Sequence, residues 1–109
     1  MENLNSKVGK RLIQTLNRNS KLSTLIKKLE KICDKQAEKN SSEEYSQEGS
    51  VREMLLEYAY SGCALSALNK KSPRRALGTY IRNIEYKLKK NPYTDFPSII
   101  GAEFGRAFE

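Results

Sequence analysis

The chain has 109 residues, of which 38 % are apolar and 30 % charged, and its twenty Lys/Arg outnumber thirteen Asp/Glu to give a formal net charge of +7. This is one small domain, polar for a free-standing globule, with apolar residues too periodic for disorder throughout. It has no histidine and only two cysteines, which excludes Ser-His and Cys-His nucleophile pairs and leaves the usual zinc ligand set incomplete.

The charge is segregated. Residues 1–40 carry ten Lys/Arg against four Asp/Glu, and residues 41–60 carry one against five. Residues 61–91 carry eight against one, and residues 92–109 carry one against three. Two basic blocks around an acidic one suit the holding of a polyanion better than proton chemistry. No apolar run approaches bilayer length. Met1 to Arg11 has charges with no apolar core behind them, so no signal peptide is expected. Cys33 and Cys63 stand in separate helical segments among apolar neighbours. They are expected to be buried thiols in a reducing cytoplasm, with a disulfide between them as the lesser reading.

The first segment repeats Leu4, Val8, Leu12 and Leu16 every four residues, with Ile13 beside them. That is a helical stripe, weakened by Gly9. Asn17 to Ser20 breaks it, and Asn19 or Ser20 is placed to cap the next helix. Over about residues 20–39, Leu22, Leu25, Ile26, Leu29, Ile32 and Cys33 share one face. Lys27, Lys28, Lys31, Lys35 and Lys39 lie mostly off it. Residues 40–49 are polar without a stripe and read as an acidic loop between two helical hairpins, 1–39 and 50–91. Neither half is large enough for a core of its own.

Ser50 and Glu53 match a capping box ahead of the third helix. Its core face is read as Met54, Leu55, Tyr58, Ala59, Leu65 and Leu68, widened by Leu56, Tyr60, Cys63, Ala64 and Ala67. A helix apolar around so much of its circumference belongs at the centre of a bundle. Ser61, Gly62, Ala64, Ser66 and Ala67 form a small-residue patch that another helix can approach closely. Ser72 at N-cap and Pro73 at the first helical position start the fourth helix. Leu77, Tyr80, Ile81, Ile84 and Leu88 make its stripe, and Asn91-Pro92 stops it. In the tail, residues 92–109, Asp95 is placed to cap a short helix over about 97–108 that holds Ile99, Ile100, Phe104 and Phe108. Such an apolar tail is read as folding back over the core, and a docking peptide is the competing reading. The fold class is therefore all-α: a small four-helix bundle of two hairpins with a C-terminal helix or aromatic tail packed on it.

Catalytic constellations are weak. Glu53 and Glu57 stand one turn apart, but paired carboxylates are usually a solvated helix face and no further ligand is apparent. Gly78, Gly101 and Gly105 form no phosphate-cradling loop of known spacing. No enzymatic role, metal or cofactor is expected. The cationic constellation is stronger. Lys70, Lys71, Arg74 and Arg75 put four charges within six residues at the start of the fourth helix. Cations there oppose the helix dipole, whereas Lys87, Lys89 and Lys90 at its end complement it. A charge pattern that costs local stability asks for an external anion, and arginine forks match phosphate. Arg82 lies two turns beyond Arg75, and Tyr86, off the core stripe near Lys89 and Lys90, is the candidate for stacking on an unpaired base. Tyr80 fits the core. Lys27, Lys28, Lys31 and Lys35 serve either solubility or nucleic-acid contact. Arg74, Arg75, Thr79 and Asn83 could enter a major groove, but no glycine turn precedes them, and sequence-specific reading is the lesser possibility.

The function expected is non-enzymatic, mainly sequence-independent binding of a DNA or RNA backbone. In size, basicity and helical content the whole chain is similar to the helical small subunits of CRISPR effector complexes, which lie along nucleic acid. That similarity implies other protein subunits as partners, alongside possible self-association. The alternative is a protein-binding module (an immunity protein, an anti-defence inhibitor or an adaptor) whose basic face meets an acidic partner. Small helical immunity proteins of bacteriocin producers are similarly short and basic.

Overall fold

The computed structural model describes residues 4–17, 22–40, 51–92 and 95–108. It is all-α, with five helices in chain order: α1 (Leu4–Leu16), α2 (Leu22–Asn40), α3 (Val51–Leu68), α4 (Pro73–Lys90) and α5 (Phe96–Phe108). No strand occurs among the described residues. None of the helices is long and apolar enough to cross a membrane. The capping box at Ser50, the caps at Asn19 and Ser20, and the acidic loop lie outside the described residues, as does the side chain of Lys39.

The nearly all-round apolar character of α3 has its expected consequence. It packs against each of the other four helices. Leu55, Ala59, Cys63 and Ala64 are buried on it, together with Ser61, Gly62 and Ser66 of the small-residue patch. The patch admits α5: a Cβ at Gly62 would collide with the ring of Phe108. Gly9 plays the same part for α1. A Cβ there would overlap the Tyr60 backbone carbonyl, so the glycine that weakens the α1 helix is the point at which α1 sits down on α3. The main partner of α1 is α3, and its contact with α2 is slight. Three positions differ from expectation, one of them Ala67 of the small-residue patch, which is exposed near the end of α3. Val8 is 47 % exposed, because α1 turns Gly9 and Ile13 inward and Val8 lies on their flank. Leu68 is 71 % exposed, because it closes the last turn of α3 beyond the reach of its neighbours.

The tail closes the core. Phe96, Ile99, Ile100 and Phe108 are buried, and α5 packs on both α3 and α4. Asp95 begins the helix as expected. Its carbonyl accepts from Ile99 N–H at 3.2 Å, and its carboxylate accepts from Ser98 Oγ at 2.7 Å. Tyr80, Phe108, Phe104 and Tyr58 form a chain of ring contacts with centroids 5.1–5.3 Å apart, joining α4, α5 and α3. The Tyr80 hydroxyl, inside this cluster, donates to the Ile100 carbonyl at 2.8 Å. That bond satisfies a polar group whose burial would otherwise be costly. The buried Gln36 side chain ties the end of α2 to the Pro92 carbonyl. Arg52 of α3 bridges to α2, meeting Asp34 at 2.6 Å and Glu30 at 3.0 Å. Both cysteines are buried, and neither is in a disulfide. Burial pushes the Cys33 thiol up to about 11, with Asp34 adding to it, and pushes Cys63 up to about 12.

Two glycines give predictions of opposite sign. Gly9→Ala should destabilise by roughly 1–3 kcal/mol through overpacking against backbone. Gly78→Ala, whose Cβ meets nothing within 4 Å, should stabilise by about 0.5–1 kcal/mol through helix propensity. Each kcal/mol moves the Tm of a domain this size by about 4–8 °C, so thermal melts resolve both signs. The thiols give a third prediction. Ionisation favours the unfolded chain once pH passes the ordinary thiol value of 9.0. The stability held by the neutral buried thiols is therefore whole below that pH and falls as pH rises towards about 11 and 12. Urea midpoints from about pH 7.5 to pH 10 should fall less steeply for Cys63→Ala than for the unchanged chain.

Candidate functional site

The α3–α4 corner is built without glycine. Lys71 N–H donates to the Ser66 carbonyl at 2.8 Å, and Lys70 N–H donates to the Ala67 carbonyl at 3.1 Å. This pair of bonds closes the α3 carboxyl end as a Schellman motif. The motif needs a left-handed residue, and Lys70 supplies it with φ 58°. Glycine adopts that conformation without strain, and a lysine there costs about 1 kcal/mol. The tight turn thus forms despite the lack of a glycine, and it carries an exposed cation at its apex.

Two residues on, the expected start of α4 is in place. Ser72 is the N-cap, its Oγ accepts from Arg75 N–H at 3.3 Å, and Pro73 follows at the first helical position. Arg74 and Arg75 therefore stand in the first turn, which contains no acid. Their side chains are exposed, as is Arg82. None of the three has a carboxylate partner among the described residues. Arg82 donates instead to Thr79 Oγ1 at 3.2 Å, which holds its guanidinium along the helix.

These arginines line an open groove of ≈ 590 Å³ between the amino-terminal parts of α2 and α4. Arg74, Arg75 and Arg82 form its cationic side with Thr79, and Leu25 of α2 lies across from them. Gly78 is the bare patch between, since a Cβ there would meet only open space. The positions 74, 78 and 82 recur every four residues, which puts arginine, glycine and arginine along one side of the helix. Sequence reading singles out the arginines, gives Thr79 only to the lesser major-groove possibility, puts Leu25 on the core stripe and finds no role for Gly78. The four-residue spacing is the signal for Gly78, whereas Leu25 requires knowing that α2 packs beside α4.

The other predicted positions divide. Lys70 and Lys71 are exposed at the corner, adjoining the groove in sequence. Lys28 is drawn off: its Nζ meets Glu85 of α4 at 3.5 Å, so it helps bind α2 to α4 and its charge is partly offset. Lys27, Lys31 and Lys35 are exposed along α2. Tyr86, 58 % exposed, continues the outward face of α4 four residues past Arg82. The Lys90 ammonium stands 5.1 Å from its ring centroid, so part of the ring already faces a cation. Lys89 is exposed at the carboxyl end of the helix. Tyr80 is fully buried and belongs to the core. Among the described residues no group of three or more His, Cys, Asp or Glu is placed to hold a metal ion.

No protein-family model, curated protein or solved structure matches the chain.

The strained corner yields a prediction of its own. Lys70→Gly should raise stability by about 0.5–1 kcal/mol, read from urea or thermal unfolding, because glycine adopts φ 58° freely. An unchanged or lowered stability would mean that Lys70 is held there by contacts rather than against its preference.

Proposed function

We propose that this chain is a non-enzymatic, mainly sequence-independent binder of nucleic-acid backbone, working as a small subunit of a larger nucleoprotein complex such as a CRISPR-type effector. One observation carries the reading. Arg74, Arg75 and Arg82 converge on an open groove with no carboxylate paired to them among the described residues. Arg52 and Lys28 differ from them: Arg52 meets two carboxylates and Lys28 meets Glu85. Charges gathered on one side and left open in this way lower the free energy of a bound polyanion.

Further features support it. The helix dipole is opposed at the first turn of α4, a local cost that a bound phosphate removes. Lys70 keeps its charge where glycine would be more stable. The buried thiols, pushed well above their ordinary range, are poor nucleophiles at neutral pH, in keeping with a binding role. Leu68, 71 % exposed beside the basic corner, suits contact with a neighbouring subunit. An acidic protein would also satisfy the charges, but paired arginine forks beside a serine- and threonine-lined groove favour phosphate.

Anisotropy titration of labelled oligonucleotides tests the reading. Binding should weaken linearly in log–log form as salt rises. Arg74→Ala with Arg75→Ala should lower affinity for every sequence alike. It should also flatten the salt slope by roughly 0.7–0.9 for each phosphate left without its arginine. Failure of the unchanged protein to bind any single- or double-stranded oligonucleotide at about 50 mM salt would overturn the proposal.

A further inference from the structure

We infer that the groove between α2 and α4 is a seat for one extended single strand, with phosphates at Arg74, Arg75 and Arg82 and a sugar–base unit over Gly78 against Leu25. The inference rests on the nucleic-acid reading above and adds to it the form of the ligand.

Shape decides against a duplex. Helices packed side by side have axes about 8–10 Å apart, and α2 and α4 are in contact. A furrow between helices at that spacing is too narrow to take in a duplex, whose major groove alone is about 12 Å wide. A duplex must ride over the rim, where it meets the outward lysines but not the floor. One strand lies within it. From Arg75 to Arg82 the helix advances seven residues, about 10 Å, so the two guanidinium groups can meet different phosphates of one strand.

The floor supplies a second, independent observation. A glycine inside a helix costs about 1 kcal/mol against alanine. At Gly9 and Gly62 a neighbouring element occupies the place of the missing side chain. At Gly78 none of the described residues does. The bare backbone faces open space in the middle of the arginine-lined groove. Packing among the described residues gives no reason for glycine there, while a flat group lying on the helix does. Leu25, half-buried on the opposite wall, gives that group an apolar edge, and the Arg82–Thr79 hydrogen bond holds one guanidinium at the rim. Every base has an apolar face, so such a seat is tolerant of sequence. The outward face of α4 then leads past Arg82 to Tyr86, where the next base can stack.

The experiment fills the floor and leaves every charge in place. Gly78→Leu and Gly78→Ala are compared with the unchanged chain and with Arg74→Ala/Arg75→Ala, by anisotropy against labelled dT12, U12 and a 12-base-pair DNA duplex in one buffer. Both glycine variants improve helix propensity, and a melt of each checks folding. The unchanged protein should prefer the single strands at least tenfold. Gly78→Leu should lose at least tenfold for single strands and less than about twofold for duplex, with Gly78→Ala between. The dT12 and U12 arms tell DNA from RNA, since only U12 carries a 2′-hydroxyl. Duplex binding as tight as single-strand binding overturns the seat. So does full single-strand affinity in Gly78→Leu, or in Gly78→Ala should the leucine variant melt early. In those cases an equal loss across all three ligands in the double arginine variant leaves the backbone-binding reading standing. Absence of binding by the unchanged protein to all three overturns both.

Discussion

The hydrogen bond from the Tyr80 hydroxyl to the Ile100 carbonyl, 2.8 Å long and enclosed by aromatic rings, anchors the buried face of α4 to α5. A buried phenol has one economical place to put its proton, and here that place is on α5. With Tyr80 pointing inward, the 3.6-residue period turns Ala76, Leu77, Ile81, Ile84 and Leu88 inward as well. The same rotation turns Arg74, Arg75, Arg82, Tyr86 and Lys89 outward. The basic face is thus a geometric consequence of the aromatic core. The tail that completes the core is also what points the arginines at solvent.

Electrostatics then separates two kinds of cation. Arg52 belongs to the seam between α2 and α3, where two carboxylates reach it and its hydrogen bond to Glu30 raises its pKa above the ordinary value. Lys28 belongs to the seam between α2 and α4. These pairs are solvent-exposed and contribute little stability individually. The arginines of α4 are left facing water. Among the described residues no carboxylate pairs with them.

Much of the architecture was legible because helices repeat strongly. The stripes on α2 and α4, the Ser72-Pro73 start and the Asn91 stop all have local causes. The inward folding of Phe96 and Phe108 followed from their apolar bulk. Other features escaped local reasoning. Gly9 reads as a weak point of α1, since only the approach of Tyr60 backbone shows what the missing side chain allows. Val8 fits the four-residue stripe yet is exposed, because a helix packed through a glycine rotates its contact line towards that glycine. The corner at Lys70 shows that a turn can form without the residue that suits it best, given enough hydrogen bonds on either side.

Sequence alone determined the all-helical class, the central position of α3 and the cationic crowding at the start of α4, because each follows from spacing and charge within a few turns. Tertiary structure decided which cations are neutralised, that α1 lies on α3, and that Gly78 looks into a groove walled by α2. Those facts depend on residues far apart in the chain meeting across helix seams, and the period of a single helix holds no information about what packs beside it.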